Sequence, residues 1–236
     1  MRKLWLFGMA SFLFNSSVSW GENPQIAQVF QKLNAGQKQT VIVYGTSLTA
    51  GGAWVAATQN WFDKNFPNQV TFFNCGRGGA NSDVGVQSLE AKVLNQKPDL
   101  IVIEYSYNDA VEGAMSLEQG WKNLDTMVTG IRAKNPQAAI VLQTMNASWD
   151  PAPDKLPNSR RPRLEEYNDN YRRYAREHDL PLLDHFPAWQ LLKEGESDTF
   201  HKMVPDGAHP TPAASLAVTW PAIEAFLNQA KESNQP

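Results

Sequence analysis

Short apolar runs alternate with longer segments of helical periodicity along most of this 236-residue chain. The apolar runs are typical of strands that are buried on both faces of a sheet. They span residues 40–44, 70–74, 100–105, 139–144 and 180–184. Between them lie segments long enough for crossover helices, at 54–65, 82–95, 117–135 and 164–178, with a final helix from about Pro212. This alternation predicts a three-layer α/β/α sandwich around a central parallel sheet of about five strands.

The composition is that of an ordinary α/β domain with a sizeable core, since 42% of the residues are hydrophobic. The net charge of −3 gives no reason to expect a nucleic-acid partner. Cys75 is the only cysteine, so no disulfide can close within the chain. The cysteine and the histidines show no metal-ligand spacing, and we expect neither a metal nor an organic cofactor.

The first residues have the layout of a secretory signal peptide. Arg2 and Lys3 precede an apolar run at 4–14 and a stretch of small residues. The run is too short to span a membrane, although a buried N-terminal helix or an uncleaved anchor would fit the same pattern. We therefore predict a signal peptide at 1–21, a single catalytic domain at 22–236, and a secreted or periplasmic protein without stable membrane insertion.

Candidate functional residues follow the first three predicted strands. Ser47 ends the segment G-T-S, Gly79 lies in N-C-G-R-G-G-A, and Asn108 lies in Y-S-Y-N-D. Each has a plain structural explanation, as a helix cap, a tight turn and an Asx-turn respectively. Because ligand sites in open α/β sheets lie outside the carboxyl ends of the strands, all three would gather at one rim. There they would supply a hydroxyl nucleophile and donors for a developing oxyanion.

A carboxylate and an imidazole lie together near the other end of the chain. Asp206 and His209 occur in D-G-A-H-P, just before Thr211 and Pro212, which fit the cap and first turn of a helix. A serine hydroxyl is a poor nucleophile until an imidazole takes its proton, and a carboxylate orients that imidazole. The sequence therefore predicts that the two ends of the chain meet at one site.

The other histidines are weaker candidates. His201 has the same spacing from Asp198 but lacks the helix start that follows His209, so we rank it behind. His178 and His185 are interpreted as solvated surface or strand-end residues.

The four segments, in this order, resemble the sequence blocks of the SGNH, or GDSL-type, hydrolase superfamily, from about residue 40 to the C-terminal helix. The resemblance implies that Ser47 is the nucleophile and that Asp206 and His209 are the acid and base of a catalytic triad. It implies an oxyanion hole formed by the N–H of Ser47, by Gly79 and by Asn108. It also implies a flavodoxin-like fold and an ester hydrolase that works through an acyl-enzyme.

The chain departs from that pattern in its first block, which usually reads G-D-S. Thr46 replaces the aspartate, which is not the triad acid, so the chemistry remains while the hydrogen bonding around Ser47 changes. Glu104, in I-E-Y-S-Y-N-D, is interpreted as a buried or rim carboxylate that braces the site. Thr46, Glu104 and Trp149 are also candidates for contact with the substrate.

The substrate is inferred from the predicted secretion, the charge and the aromatic content of the chain. Secretion, a mildly acidic surface and a supply of tryptophans suit an esterase that deacetylates a carbohydrate or another small acyl ester. Trp149, beside a proline-rich loop, is the tryptophan predicted to stack on a ligand. In the same loop Arg160, Arg161 and Arg163 are interpreted as solvated, with contact to an acidic glycan or phosphate as the alternative. A lipolytic esterase, lysophospholipase or thioesterase with the same triad, and a catalytically silent glycan-binding relative, remain as alternatives.

Overall fold

A computed structural model describes residues 23–234 of the chain, so the predicted signal peptide lies outside the described residues. The strands are β1 (Gln39–Gly45), β2 (Val70–Asn74), β3 (Leu100–Glu104), β4 (Ala139–Thr144) and β5 (Leu182–Asp184). They form one parallel sheet in the order β2-β1-β3-β4-β5. This confirms the predicted fold class and each of the five predicted strands, with β5 two residues shorter at its start than expected.

Helices cover both faces of the sheet. They are α1 (Pro24–Asn34), α2 (Ser47–Ala50), α3 (Ala53–Asn65), α4 (Ser82–Lys92), α5 (Ser106–Asp109), α6 (Leu117–Lys134), α7 (Leu164–Glu177), α8 (Phe186–Gly195), α9 (Ser197–Met203), α10 (Pro212–Ala214) and α11 (Trp220–Glu232). A π-helical turn, Ser215–Thr219, joins α10 to α11. The predicted crossover helices correspond to α3, α4, α6 and α7, whereas α1, α2, α5, α8 and α9 were not predicted.

Side chains of the central strands alternate between two cores. In β1, Val41 and Val43 pack with apolar residues of α1, α3 and α11, while Ile42 and Tyr44 pack with those of α4, α6 and α7. The strands β3 and β4 alternate in the same way. Because both faces of the sheet are covered, these strands read as nearly continuous apolar runs.

The order of the strands reverses at β1. The chain passes from β1 outward to β2, then crosses to β3 on the other side of β1 and continues to β4 and β5. In open α/β sheets ligands bind outside the carboxyl ends of the strands at such a switch point. The segments that carry Ser47, Gly79 and Asn108 leave the sheet there, after β1, β2 and β3.

Between residues 23 and 234, no helix combines the length and the apolar character needed to cross a membrane.

Candidate active site

The turn from β1 into α2 places Ser47 at the first position of a short helix. Thr46 caps this helix, and its Oγ1 accepts a hydrogen bond from the N–H of Leu48 at 3.1 Å. Only glycine fits at position 45, because a Cβ there would lie 2.4 Å from the backbone oxygen of Glu104. The turn is therefore tightly packed from below, while Ser47 itself is only half-buried.

A fully buried carboxyl group lies beneath this turn. Glu104 ends β3, pairs with Gly45 in the sheet and has no exposed surface. Its Oε2 accepts hydrogen bonds from the N–H of Thr46 at 3.1 Å, from Thr46 Oγ1 at 2.8 Å and from Thr49 Oγ1 at 3.0 Å. Burial raises the pKa of Glu104 to about 7, although these hydrogen bonds act to lower it. The residue that replaces the usual aspartate thus supplies a donor, where an aspartate would place a second acidic group.

Neither Thr46 nor Glu104 can contact a substrate. Both residues are 0% exposed, so the prediction of a direct contact is wrong for both. They contact the backbone and side chains around Ser47 from the interior of the fold instead. Thr49, which was not predicted from the sequence, is the third member of this buried group.

Ser47, His209 and Asp206 form a continuous hydrogen-bonded chain. Ser47 Oγ lies 2.8 Å from His209 Nε2, and His209 Nδ1 lies 2.7 Å from Asp206 Oδ2. Asp206 Oδ1 accepts the N–H groups of His209 at 2.7 Å and of Ala208 at 2.9 Å. Partial burial acts to raise the pKa of Asp206, but these hydrogen bonds outweigh it and hold the pKa below its usual value. The arrangement favours an ionised carboxylate that orients the imidazole.

The loop that carries Asp206 and His209 is held by the connection after β4. The N–H of Trp149 donates to the oxygen of Gly207 at 3.1 Å, and Asn146 Nδ2 donates to the oxygen of Ala208 at 2.9 Å. Gly207 has a φ of 80°, and a Cβ at this position would lie 2.2 Å from the backbone oxygen of Trp149. Both the backbone conformation and the close approach therefore require glycine.

Trp149 supports this loop through its side chain as well. Its indole ring stacks on the ring of His201 with centroids 3.6 Å apart, and Nε1 donates to the oxygen of Val204 at 2.6 Å. One face of the indole is thus occupied by a protein ring, so stacking on a ligand would have to use the other face. Across residues 23–234, His201 makes no hydrogen bond to Ser47 or to Asp198.

Gly79 and Asn108 lie on adjacent segments after β2 and β3. Gly79 has a φ of 71°, and a Cβ there would meet no atom within 4 Å, so conformation rather than space favours glycine. Asn108 Nδ2 donates to the oxygen of Ala80 at 2.8 Å, and its Oδ1 accepts from Arg161 Nη2 at 2.9 Å. An amide nitrogen carries two hydrogens, so one remains for a ligand.

Three residues interpreted as solvated have protein partners instead. Arg161 is largely buried, whereas Arg160 and Arg163 are exposed as predicted. His185 is 2% exposed at the start of α8, and burial lowers its pKa to about 4. His178 is half-buried and stacks on Tyr174 with centroids 3.9 Å apart. Packing against neighbouring aromatic rings and strand ends, which a local sequence pattern does not reveal, explains all three.

In the part of the chain that the structure covers, no group of three or more histidine, cysteine, aspartate or glutamate side chains is arranged to hold a metal ion.

Comparison with known proteins identifies the family. The model of the GDSL-like lipase/acylhydrolase family matches residues 43–215, well over half of the chain. The chain belongs to this family. It is a carboxylic ester hydrolase of the SGNH type, and the segments that carry Ser47, Gly79, Asn108 and His209 all fall within the matched region.

Two relatives are similar over most of the sequence. Esterase TesA of Pseudomonas aeruginosa is 29% identical over 200 residues, which cover 80% of this chain and 90% of that protein. Thioesterase 1/protease 1/lysophospholipase L1 of Escherichia coli is 24% identical over 200 residues, with 84% of this chain and 87% of that protein covered.

Two solved structures share the fold. A two-domain esterase active on acetylated mannans superposes with a TM-score of 0.71 at 23% identity, covering 90% of this chain and 55% of that protein. This chain therefore spans about half the length of that esterase. The acetylxylan esterase Axe2 of Geobacillus stearothermophilus gives a TM-score of 0.66 at 17% identity, covering 82% of this chain and 94% of that one.

Proposed function

We propose that this chain is a secreted serine esterase that removes acetyl groups from a carbohydrate, or from another small acyl ester, through an acyl-enzyme. The observation that carries the proposal is the hydrogen-bonded chain from Ser47 Oγ through the His209 ring to Asp206, with distances of 2.8 and 2.7 Å. The three side chains are connected in the order of a nucleophile, a base and an orienting acid. The apolar run that follows Arg2 and Lys3 supports secretion.

The acylation step begins at Ser47. His209 Nε2 takes the proton of Ser47 Oγ as this oxygen attacks the carbonyl carbon of the ester. Asp206 Oδ2 accepts the hydrogen on Nδ1, which fixes the tautomer and stabilises the imidazolium that forms. The imidazolium then gives its proton to the departing alcohol. The low pKa of Asp206 suits this role, since the carboxylate remains ionised near neutral pH.

The oxyanion is stabilised by donors from three segments. They are the N–H of Ser47, the N–H of Gly79 and the second amide hydrogen of Asn108. Within residues 23–234 neither of the two backbone N–H groups has a protein acceptor, so both are free to donate to a ligand. A donor of this kind contributes about 3 kcal/mol to stabilisation of the transition state. His209 then activates a water molecule, which releases the acid and returns the proton to Ser47.

The acetylated-carbohydrate substrate is supported by structural neighbours rather than by the geometry of the triad. Two proteins with the same fold are an esterase active on acetylated mannans and an acetylxylan esterase. The relatives in sequence favour a second candidate, because they are an esterase and a thioesterase/lysophospholipase similar over at least 80% of this chain. A longer acyl group would then occupy the same site, with the same nucleophile and base.

A series of p-nitrophenyl esters of increasing acyl length separates the two candidates. We expect kcat/KM to be highest for the acetate and to fall with each longer chain, together with release of acetate from acetylated mannan or xylan. A rise in kcat/KM with acyl length would favour the lipolytic candidate. Absence of turnover for every short ester, with retained binding of a glycan, would instead support the catalytically silent alternative.

Replacement of the nucleophile and base tests the mechanism itself. Ser47→Ala and His209→Ala should each lower kcat on the acetate ester by at least about 10⁴-fold. His201→Ala is the matched control, because His201 follows an aspartate at the same spacing but lies against Trp149, and it should lower kcat less than about tenfold. Full activity in Ser47→Ala, or equal losses in the two histidine variants, would contradict the mechanism.

A further inference from the structure

Arg161 extends from the connection between β4 and α7 to the side chain of Asn108. Its Nη2 donates to Asn108 Oδ1, its Nε to the oxygen of Tyr107 and its Nη1 to the oxygen of Pro157, each at 2.9 Å. The guanidinium carbon also lies 4.2 Å from the centroid of the Tyr107 ring. Four separate contacts thus fix the position of a largely buried cation.

The contacts of Asn108 permit only one orientation of its amide. A guanidinium carries donors and no acceptor, so only Oδ1 of the amide can face Arg161. The backbone oxygen of Ala80 accepts and does not donate, so only Nδ2 can face Ala80. Both partners select the same orientation, in which the free amide hydrogen is available to a ligand. The reversed amide would present an oxygen to the developing negative charge.

We propose that Arg161 is a positioning residue for ester hydrolysis, which orients the amide of Asn108 and strengthens its N–H as a donor to the oxyanion. This inference rests on the proposed role of Asn108 in the oxyanion hole. A charged donor on Oδ1 polarises the amide and makes its N–H more positive, as occurs in chains of hydrogen bonds at low dielectric.

The neighbouring arginines differ from Arg161 in every relevant contact. Arg163 is exposed and its Nε pairs with Glu166 Oε1 at 2.7 Å on the surface. The Arg160 side chain is exposed, and its backbone oxygen accepts the N–H of Glu112 at 2.7 Å. The role therefore belongs to one member of the R-R-P-R segment, and Arg160 provides a matched control.

The same connection also supports the base. Trp149 and Asn146 hold the loop of His209 at the start of this connection, and Arg161 holds Asn108 near its end. A single segment between β4 and α7 thus contacts both the donor side and the base side of the site.

A double-mutant cycle tests the proposal on a short ester. Asn108→Ala should lower kcat about 10²- to 10³-fold, as loss of an oxyanion donor does elsewhere. Arg161→Met should lower kcat roughly tenfold to a hundredfold with KM changed less than about threefold, since the interaction acts in the transition state. The double variant should be no slower than Asn108→Ala alone, because Arg161 then has no amide to orient. Arg160→Met should keep wild-type kcat and KM.

The possible contrary results are distinct. Losses that multiply in the double variant, an effect on KM alone, or wild-type kinetics in Arg161→Met would each overturn the role of Arg161, while the proposed hydrolase mechanism stands. Full activity in Asn108→Ala would instead overturn the oxyanion role on which the inference rests.

A second variant guards against loss of folding. If Arg161→Met is unfolded at the assay temperature, Arg161→Lys replaces it in the cycle. Lysine keeps the charge but lacks the planar fork that reaches three acceptors, so we expect a smaller loss of kcat that again disappears in the Asn108→Ala background. A loss that persists in that background would overturn the proposal.

Discussion

The nucleophile and the base of this site are held in different ways. The turn that carries Ser47 rests on a buried side-chain group, in which Glu104 accepts hydrogen bonds from Thr46 and Thr49. The side chains of His209 and Asp206 are 49% and 53% exposed, and their loop is held by hydrogen bonds to its backbone oxygens. The nucleophile turn is therefore supported by a buried, titratable side chain, whereas the base loop is supported by hydrogen bonds to its backbone.

The two supports should therefore respond to different perturbations. Burial raises the pKa of Glu104 toward neutrality. The contribution of this buried group to the free energy of unfolding therefore changes with pH near neutrality. The backbone contacts of the base loop do not titrate, but they require a left-handed conformation and a close approach at Gly207. Substitutions that act on only one of these properties separate the two sides.

The largest effect is expected from Gly207→Ala. The added Cβ would lie 2.2 Å from the oxygen of Trp149, so the loop must shift and carry His209 away from Ser47. We expect kcat to fall at least about 10²-fold, as misplacement of a reacting group by about 1 Å does. The melting temperature should fall as well, and both can be measured on the same preparation.

Gly36→Ala provides the matched control for this variant. Gly36 has a φ of 77°, close to that of Gly207, but a Cβ there would meet no atom within 4 Å. It should lose only the roughly 1–2 kcal/mol that a left-handed conformation costs a residue with a Cβ, with kcat unchanged. Equal effects of the two variants would show that backbone strain alone, rather than contact with Trp149, explains the requirement for Gly207.

The pH dependence of stability tests the nucleophile side through Glu104→Gln. The pKa of Glu104 in the folded protein is raised from 4.5 to about 7, so its stabilising contribution is present below pH 4.5 and is lost as the pH rises through about 7. Glutamine resembles the protonated acid and cannot ionise. We expect Glu104→Gln to gain stability relative to wild type between pH 5 and pH 8, by on the order of 3 kcal/mol. Chemical denaturation at both pH values measures the difference.

Asp109 must be considered in the same experiment, because burial also raises its pKa to about 7. Its contribution has the same sign and is present in both wild type and Glu104→Gln. Only the part that depends on repulsion between the two carboxylates remains in their difference, and it disappears together with the Glu104 charge. A difference between the two proteins that stays constant from pH 5 to pH 8 would contradict the assignment of the titration to Glu104.

The smallest effect is expected from Trp149→Phe. Phenylalanine keeps an aromatic ring against His201 but loses the hydrogen bond from Nε1 to the oxygen of Val204. Loss of one such bond should cost about 1 kcal/mol of stability, with kcat within a few-fold of wild type. Trp121→Phe is the control, since Trp121 packs on Tyr174 and Arg173 in the opposite layer. A loss of kcat beyond about 10²-fold without a larger loss of stability would contradict a purely supporting role for Trp149.

The sheet and its main crossovers could be predicted because they leave strong periodic signals. Strands covered on both faces are continuous apolar runs, and α3, α4, α6 and α7 are each long enough to show several helical turns. The helices α2 and α5 have four residues each, which is too short for a helical period to be recognised. They matter for the site nevertheless, because they carry Ser47 and Asn108.

The side chains that support the site were harder to predict than those that compose it. Glu104 carries a usable signal, a charged residue within the apolar run of β3, and its burial follows from that position. Arg161 carries none, because Arg160, Arg161 and Arg163 look alike in the sequence. Its contacts with Tyr107 and Asn108 distinguish Arg161 from its neighbours, and these contacts span 54 and 53 positions of the chain.

The hydrogen bond between Ser47 and His209 joins residues 162 positions apart, from the end of the first strand to the start of the last helical segment. A contact between residues so far apart in sequence depends on the intervening strands, which bring the two segments to the same edge of the sheet. During synthesis or translocation from the N-terminus, the base emerges after all five strands of the sheet. In the proposed mechanism, esterase activity therefore requires that the segment after the last strand has reached its folded position. An N-terminal fragment that ends before His209 lacks the base and should not hydrolyse an ester.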